Sequence, residues 1–471
     1  MIQEKKLYLE TFGCQMNVSD SEKIVGLMKG IGYQQTPDPT HADLILLNTC
    51  SIRAKAEQKV YGHLGKFKSI KRKRPHLIIG VGGCVAQQEG ERLLEKAPFV
   101  NLVFGTHNLH LLQEMVAAAE TGKRRIETDF LDDEKRFDLY GAADTDSGVT
   151  RFVTVMQGCD NFCAYCIVPH VRGREISRSA GKIVEEVAAL AAAGVTEVTL
   201  LGQNVNSYSS KSPGEPDFPD LLRMVAEVEG IERLRFTTSH PKDISERLIA
   251  CFAEIPKLAP HIHLPAQSGS DRVLKAMNRG YTSAEYLSKV AALKAACPGI
   301  QITGDMIVGF PGEEASDFEE TLALMKEVGY ADLFSFIYSA RPGTKAAEFT
   351  DLTGKEEKQA RLERLQTAQK KTTLERNQEM VGTIQEVLIE GLSDSKDSLF
   401  GRTGGNRGVI IADAPTFAKA SAGAPTFAKA SAGEPTVALA KAGAGKVVPV
   451  KIVEGLQTLL KGEILDPPGR E

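Results

Sequence analysis

Nowhere do the 471 residues contain an uninterrupted apolar run of the about 18 residues that a membrane-crossing helix needs, so no membrane contact is expected. The opening MIQEKKLYLE carries charges where a secretory leader needs an apolar stretch, which points to the cytoplasm. An excess of charge of one sign is missing too. The 57 basic and 61 acidic residues leave a net −4, which excludes binding of nucleic acid by bulk charge and confines any RNA contact to local basic patches. Cysteine is scarce, at eight residues; in a reducing compartment clustered thiols point to metal or catalysis rather than to disulfides. What is present is ordinary for a globular protein. The 42% apolar and 25% charged residues exclude a disordered or fibrous chain, and the length suggests about three domains.

Short apolar runs alternate with amphipathic ones near the start: 7–10, 44–48 and 77–81 read as strands, and 19–30, 54–70 and 86–96 as helices. This predicts a parallel-sheet α/β domain over 1–120. Residues 121–148, rich in Asp, read as a linker. From 149 to 378 the alternation resumes, with strands near 152–157, 197–201, 234–238, 262–264, 300–307 and 333–338 and helices such as 182–193, 244–253 and 317–328. Six such units are too few to close an eight-stranded barrel. An open, partial (β/α)6 barrel is expected, with its chemistry at the C-terminal strand ends. A polar helix over 355–380 leads to strand-like runs at 383–390, 408–412, 447–453 and 460–464, read as a small β-barrel over 379–471. Inside it, 414–423 and 424–433 are both APTFAKASAG, and 434–443 form a decayed third copy. The stretch 413–446 reads as an insertion between the two arms of one hairpin.

Cys159, Cys163 and Cys166 form CDNFCAYC directly after a strand. The spacing lets one loop wrap three irons of a four-iron cubane and leaves the fourth iron open to a substrate or cofactor. A zinc knuckle is the alternative, but a fourth Cys or His at matching spacing is missing nearby. Cys14, Cys50 and Cys84 each follow one of the first three strands (YLETFGC, LILLNTC, LIIGVGGC). The C-terminal strand ends of a parallel sheet share one edge, so these three converge on one crevice as a second three-thiolate site. The alternative is three unrelated buried thiols. Cys251, inside SERLIACFAEI, and Cys297, ending KVAALKAAC, occupy positions typical of small buried hydrophobes.

The C-x3-C-x-aromatic-C motif, with Tyr165 as the aromatic, resembles that of the radical S-adenosylmethionine superfamily. Two three-cysteine sites followed by a small β-barrel resemble the methylthiotransferases of that superfamily over nearly the whole chain. The strings ETFGCQMNVSDSE, NTCSIRAKAEQK, VMQGCDNFCAYCIVPHVRGREISR, TLLGQNVNSY, HLPAQSGSDRVLKAMNRGYT and GDMIVGFPGE look like those of its tRNA-2-methylthio-N6-dimethylallyladenosine synthase branch. NTCSIR and GQNVNSY favour that branch over the one that modifies a ribosomal protein side chain. The resemblance implies two 4Fe-4S clusters and S-adenosyl-L-methionine, used both as methyl donor and as radical source. It implies adenosine 37 of tRNA, already N6-isopentenylated and beside the anticodon, as the site that gains a methylthio group at C2. A different tRNA adenosine derivative or a ribosomal protein side chain is the alternative substrate. An aromatic C–H is too strong and too weakly acidic for a side-chain base, which is why a radical is needed. An external electron donor and proteins of sulfur and cluster assembly are expected as partners of a monomer.

Strand-end geometry suggests which residues meet the cofactor or the base: Gln203 and Asn204 after the second barrel strand, Ser239 and His240 after the third, and Gln267 and Ser268 after the fourth. His240 reads equally well as a packed, hydrogen-bonded residue before Pro241. Gly304 and Gly309 would let backbone approach adenosine, and the glycines at 80–83 would let it approach the cluster near Cys84. Neither glycine run matches a P-loop. Arg172 and Arg174 suit RNA phosphate or the cofactor carboxylate through bidentate hydrogen bonds, with plain solvation the alternative for Arg174. The basic run Lys66, Lys68, Lys71, Arg72, Lys73 and Arg74, and the pair Lys370 and Lys371, are candidate RNA patches or solvated faces. The C-terminal barrel resembles the TRAM type of RNA-binding domain, with Arg402 and Arg407 as candidate phosphate contacts.

Overall fold

Leu44, Ile45, Leu46 and Leu47 are all buried, as happens where a strand is covered on both faces. Leu44 and Leu46 pack with Leu7, Ile24 and Met28 on one side of the sheet, while Ile45 and Leu47 pack with Val60, Leu64 and Ile79 on the other. The side-chain alternation of a strand thus builds two cores from one apolar run. The computed structural model describes residues 4–51, 54–131, 134–137, 148–209, 214–393, 398–411 and 443–465.

The N-terminal strands are β1 (Lys5–Thr11), β2 (Tyr33–Gln35), β3 (Leu44–Thr49), β4 (Ile78–Gly83), β5 (Leu102–Phe104) and β6 (Arg125–Glu127). They form one sheet in the order β2-β1-β3-β4-β5-β6, and every pairing is parallel. Strand β6 lies inside the stretch expected to be linker; its backbone finishes the sheet edge beside β5. The expected helix over 86–96 is two short helices, Cys84–Glu89 and Glu91–Lys96. Gly90, at φ 52°, breaks it between them.

The central domain contributes β7 (Thr150–Thr154), β8 (Met156–Gln157), β9 (Ile176–Ser177), β10 (Glu197–Leu201), β11 (Arg233–Thr237), β12 (His261–His263), β13 (Gln301–Val308) and β14 (Asp332–Ile337). Its six barrel strands form two parallel three-stranded sheets, β11-β10-β7 and β12-β13-β14. A single bridge from Leu234 to Leu258 and the hydrogen bond from Ala259 N to Leu234 O join the sheets across the gap between β11 and β12. The result is the open partial barrel. Helices including Ala180–Ala192, Phe218–Ala226, Ser283–Ala296 and Ala315–Val328 cover its outside and enclose the largest core, which Cys251 joins from the helix Glu246–Glu254.

The helix Lys355–Glu379 buries a mostly polar stripe at helical spacing, Lys358, Arg361, Gln369, Thr373 and Asn377, with Leu365 joining the core between them. Its side chains satisfy backbone carbonyls: Gln369 donates to Tyr330 O, Thr373 to Ala331 O and Asn377 to Leu456 O. Beyond it, β15 (Ile384–Leu392), β16 (Leu399–Thr403), β17 (Gly408–Ile411), β18 (Val447–Gly455) and β19 (Leu460–Ile464) close into a barrel in the order β15-β16-β17-β19-β18. Strand β16 is missing from the sequence reading because Gly401 and Arg402 interrupt its apolar pattern. The expected hairpin between β17 and β18 does not form: β19 stands between them, parallel to β17 and antiparallel to β18. The tandem repeat lies outside the described residues, apart from Gly443.

The small barrel docks on the N-terminal ends of the central strands. Arg233 and Arg235, on β11, donate to Arg402 O, Glu386 O, Gly404 O and Thr403 O, while Glu197 holds both guanidiniums from behind. Arg407 is buried and donates to Ala331 O, so this residue, expected on RNA phosphate, instead fastens the barrel to the central domain. Arg402 pairs with Glu390 at 2.9 Å and stays partly exposed.

Candidate active site

The loop carrying Cys159, Cys163 and Cys166 leaves the end of β8 through Gly158, whose φ of 82° and close approach to the Arg174 carbonyl require glycine. Distant segments hold the loop. Gly158 N donates to Gln203 Oε1 at 2.6 Å, and Ala164 N donates to Met277 O. Asn278 Nδ2 donates to the Asn161 and Phe162 carbonyls, and Lys242 Nζ to Asn161 Oδ1. A cavity of about 440 Å3 opens beside it, lined by Phe162, Cys163, Cys166, His170 and Asn278 among others.

The cation at this loop was not legible in the sequence. Arg279 is buried, with Nη1 3.4 Å from Cys163 Sγ and 3.5 Å from the Tyr165 hydroxyl. Its Nη2 donates to Pro265 O and its Nε to the Tyr281 hydroxyl. His240 Nε2 lies 3.9 Å from the same sulfur, and its Nδ1 accepts from Lys242 N. Burial, reinforced by Arg279, Lys242 and Lys289, holds His240 neutral by pushing its pKa down to about 2. Desolvation lifts the Cys159 thiol to about 11 and the Cys166 thiol to about 12.

The remaining expected residues are placed as follows. Asn204 is buried and spans the strand ends, donating to Asp243 and accepting from His240 N. Ser239 is buried, and among the described residues its hydroxyl has no hydrogen-bond partner. Gln267, at φ 74°, pairs through its backbone with β13. Ser268 accepts from Ser270 N. The Cβ positions of Gly304 and Gly309 face the Tyr330 ring and the Lys358 side chain respectively.

Cys14, Cys50 and Cys84 meet at the C-terminal edge of the N-terminal sheet. Gly13, at φ 109°, lets Cys14 approach until a Cβ at Gly13 would strike the Cys50 side chain. A hydrogen bond with Cys50 pulls the Cys14 thiol down to about 6, while burial raises that of Cys84. Asn17 pins the crevice from the helix Gln15–Gly30, donating to Phe12 O and Thr49 O. Arg172 enters it from the central domain. It is buried, donating to Asn17 Oδ1 at 3.0 Å and to Asp20 Oδ2 at 2.9 Å. It is thus committed inside the protein rather than to RNA phosphate. Arg174 pairs with Asp160 at 2.7 Å on an exposed face. In the basic run, Lys71 and Arg74 are spent on Asn101 and Asp43, whereas Lys66, Arg72 and Lys73 are exposed.

The two cysteine sets are neighbours through a short piece of chain. Cys84 packs against Ile167 and Val171 of the segment that leaves Cys166, and Thr106 and His107 bind the Val171 and Arg172 carbonyls. All eight cysteines are free thiols. Among the described residues no three His, Cys, Asp or Glu side chains are grouped as they would be around a single metal ion.

Three family profiles match along the chain: "Uncharacterized protein family UPF0004" over residues 6–105, "Radical SAM superfamily" over 153–325 and "TRAM domain" over 378–422. The tRNA-2-methylthio-N(6)-dimethylallyladenosine synthase of Citrifermentans bemidjiense is 74% identical over 99% of this chain and 100% of its own length. The chain belongs to that synthase family. The enzyme of the same name from Geobacter sulfurreducens is 65% identical over 88% of this chain and 92% of its own. Among solved structures, the radical S-adenosylmethionine methyltransferase TsrM from Kitasatospora setae shares the fold, with a TM-score of 0.54 at 14% identity, covering 73% of this chain and 77% of its own. No helix among the described residues is long and apolar enough to cross a membrane.

Proposed function

We propose that this enzyme replaces the hydrogen at C2 of N6-isopentenyladenosine 37 in tRNA with a methylthio group, and that it holds two four-iron clusters and S-adenosylmethionine. The observation that carries the reading is the pair of three-cysteine crevices, at strand ends of two adjoining domains, in a chain 74% identical over its length to a synthase so named. Soft thiolate donors without a fourth protein ligand suit iron–sulfur clusters with one open corner. Buried polar atoms without partners among the described residues support the fit: Asn161 Nδ2 in the loop, Ser239 Oγ near it and Ser51 Oγ beside Cys50. Held by Cys159, Cys163 and Cys166, a reduced cluster would supply the electron for reductive cleavage of S-adenosylmethionine, and so the radical needed to take the C2 hydrogen.

The protein's own residues position and shield. Cys159, Cys163 and Cys166 hold the loop cluster, while Cys14, Cys50 and Cys84 hold the second. Tyr165, Gln203, Asn204, Ser239, His240, Gln267, Ser268, Gly304 and Gly309 shape the cofactor's surroundings. Neutral His240 keeps a second positive charge away from Cys163, which already faces Arg279. RNA is met by the exposed Lys66, Arg72 and Lys73 and by the C-terminal barrel. An external electron donor, proteins of sulfur and cluster assembly, a monomeric state and a cytoplasmic location complete the reading.

Mass spectrometry of tRNA nucleosides from cells lacking the gene tests it. Loss of the 2-methylthio nucleoside with accumulation of N6-isopentenyladenosine is expected. Unchanged tRNA with an altered ribosomal protein would overturn it.

A further inference from the structure

Arg172 belongs to the central domain, six residues after Cys166, yet its guanidinium lies in the crevice of the other three cysteines. It is 3% exposed, as is Asp20. Its Nη2 is committed to Asn17 and Asp20. Among the described residues its Nη1 has no nitrogen or oxygen partner, and neither has Asp20 Oδ1. The guanidinium acts on Cys84 through both its charge and a side-chain hydrogen bond, and on Cys14 through its charge. Asn17 is itself clamped by Phe12 O and Thr49 O, and the backbone around Arg172 is held by Thr106 and His107.

A buried N–H left without a partner is costly, and in a native structure it calls for an explanation such as a redox role or a ligand, ion or water that completes it. The chemistry facing Nη1 is sulfur, so the fitting acceptor is a sulfur anion, thiolate or sulfide. A nearby cation and an N–H···S bond both stabilise the more negative, reduced state of an iron–sulfur centre, and a nearby carboxylate opposes it; in a low-dielectric crevice both effects are strong.

We propose that Arg172 is a positioning residue of the N-terminal three-cysteine centre: its free N–H donates to sulfur there and makes the centre easier to reduce, with Asp20 as the opposing charge. This rests on the reading of Cys14, Cys50 and Cys84 as cluster ligands. It also makes the electronics of one domain's centre depend on a residue of the other, and so on the two domains being docked.

The test uses the full chain with Cys159, Cys163 and Cys166 changed to Ala, reconstituted so that only the N-terminal centre holds iron, and titrated with dithionite and mediators while electron paramagnetic resonance reads the reduced fraction. Arg172→Met should disfavour reduction at least tenfold, 59 mV for a one-electron couple, and Arg172→Lys should lie between it and the parent. Asp20→Asn should shift the equilibrium the opposite way. A merely structural ion pair predicts the same direction for both losses, and that result, or no shift with iron retained, overturns the proposal. If Arg172→Met loses its iron, Asp20→Asn decides alone: reduction no easier than in the parent overturns it. A parent that binds no iron would instead sink the underlying cluster reading, and this inference with it.

Discussion

Arg279 Nη1 lies 3.4 Å from Cys163 Sγ, although 116 residues separate the two in sequence. The guanidinium is buried against the one cysteine of the loop that also faces His240, so the thiol meets a fixed cation on one side and a neutral ring on the other.

Arg279→Met should therefore do two things. Pro265 O and the Tyr281 hydroxyl lose their charged donor in a buried site, which should destabilise the fold by about 3 kcal/mol. Reductive cleavage of S-adenosylmethionine should fall at least tenfold. Arg279→Lys keeps the charge but cannot reach all four partners, and should recover part of each loss. Chemical denaturation and 5′-deoxyadenosine release measure the two effects.

The two cysteine sets should fail differently. With Cys159, Cys163 and Cys166 changed together to Ala, reconstituted iron should drop from about eight to about four per chain and cleavage of S-adenosylmethionine should cease. With Cys14, Cys50 and Cys84 changed together, cleavage should persist while methylthio product disappears. Iron analysis and chromatography of both products check this; cleavage surviving in the first variant would sink the assignment of the loop.

Acid should destabilise the fold through His261 on β12. Burial, with Arg235, His263 and Arg407 adding to it, holds His261 well below the ordinary histidine range. Below about pH 6.5 the unfolded chain takes a proton that the folded one refuses, so stability falls by up to about 1.4 kcal/mol per pH unit, and above that pH the group contributes nothing. His261→Gln should remove about 1 kcal/mol of the stability difference between pH 7 and pH 5.5. Urea unfolding at both pH values measures it.

The repeat should be dispensable, though not by making a hairpin. With β19 between β17 and β18, their connection must span about 10 Å sideways, two strand spacings, which a two-residue turn cannot do. Gly445 N and Lys446 O also pair with Ile389, so these residues belong to the barrel. Replacing 413–442 with about eight Gly and Ser residues should leave turnover and tRNA affinity within about threefold, because loop-closure entropy changes slowly with length. A loss beyond tenfold, about 1.4 kcal/mol in binding, would show that the repeat contributes to recognition. Cutting 413–446 to a tight turn should destabilise the barrel.

The sequence by itself determined where the six cysteines stand: Cys14, Cys50 and Cys84 each follow a strand whose pattern is local, and a parallel sheet brings such ends to one edge, while Cys159, Cys163 and Cys166 share one loop after a strand. It also determined five of the six barrel strands to within one residue, from Glu197–Leu201, which matches residue for residue, to Asp332–Ile337, displaced by one, whereas the expected strand over 152–157 divides between β7 and the separate ribbon strand β8. Only the tertiary structure decided which charges face the thiols and how the last strands are ordered. Arg172 meets Asp20 across 152 residues, and Arg235 meets the Thr403 carbonyl across 168. A buried guanidinium must find its acceptors wherever packing brings them, and an arginine in sequence looks the same whether it meets solvent, RNA or a buried carboxylate. The order of β17, β19 and β18 was equally hidden, since strand patterns mark which residues pair but not which strands are neighbours; barrel closure settles that by leaving no unpaired edge.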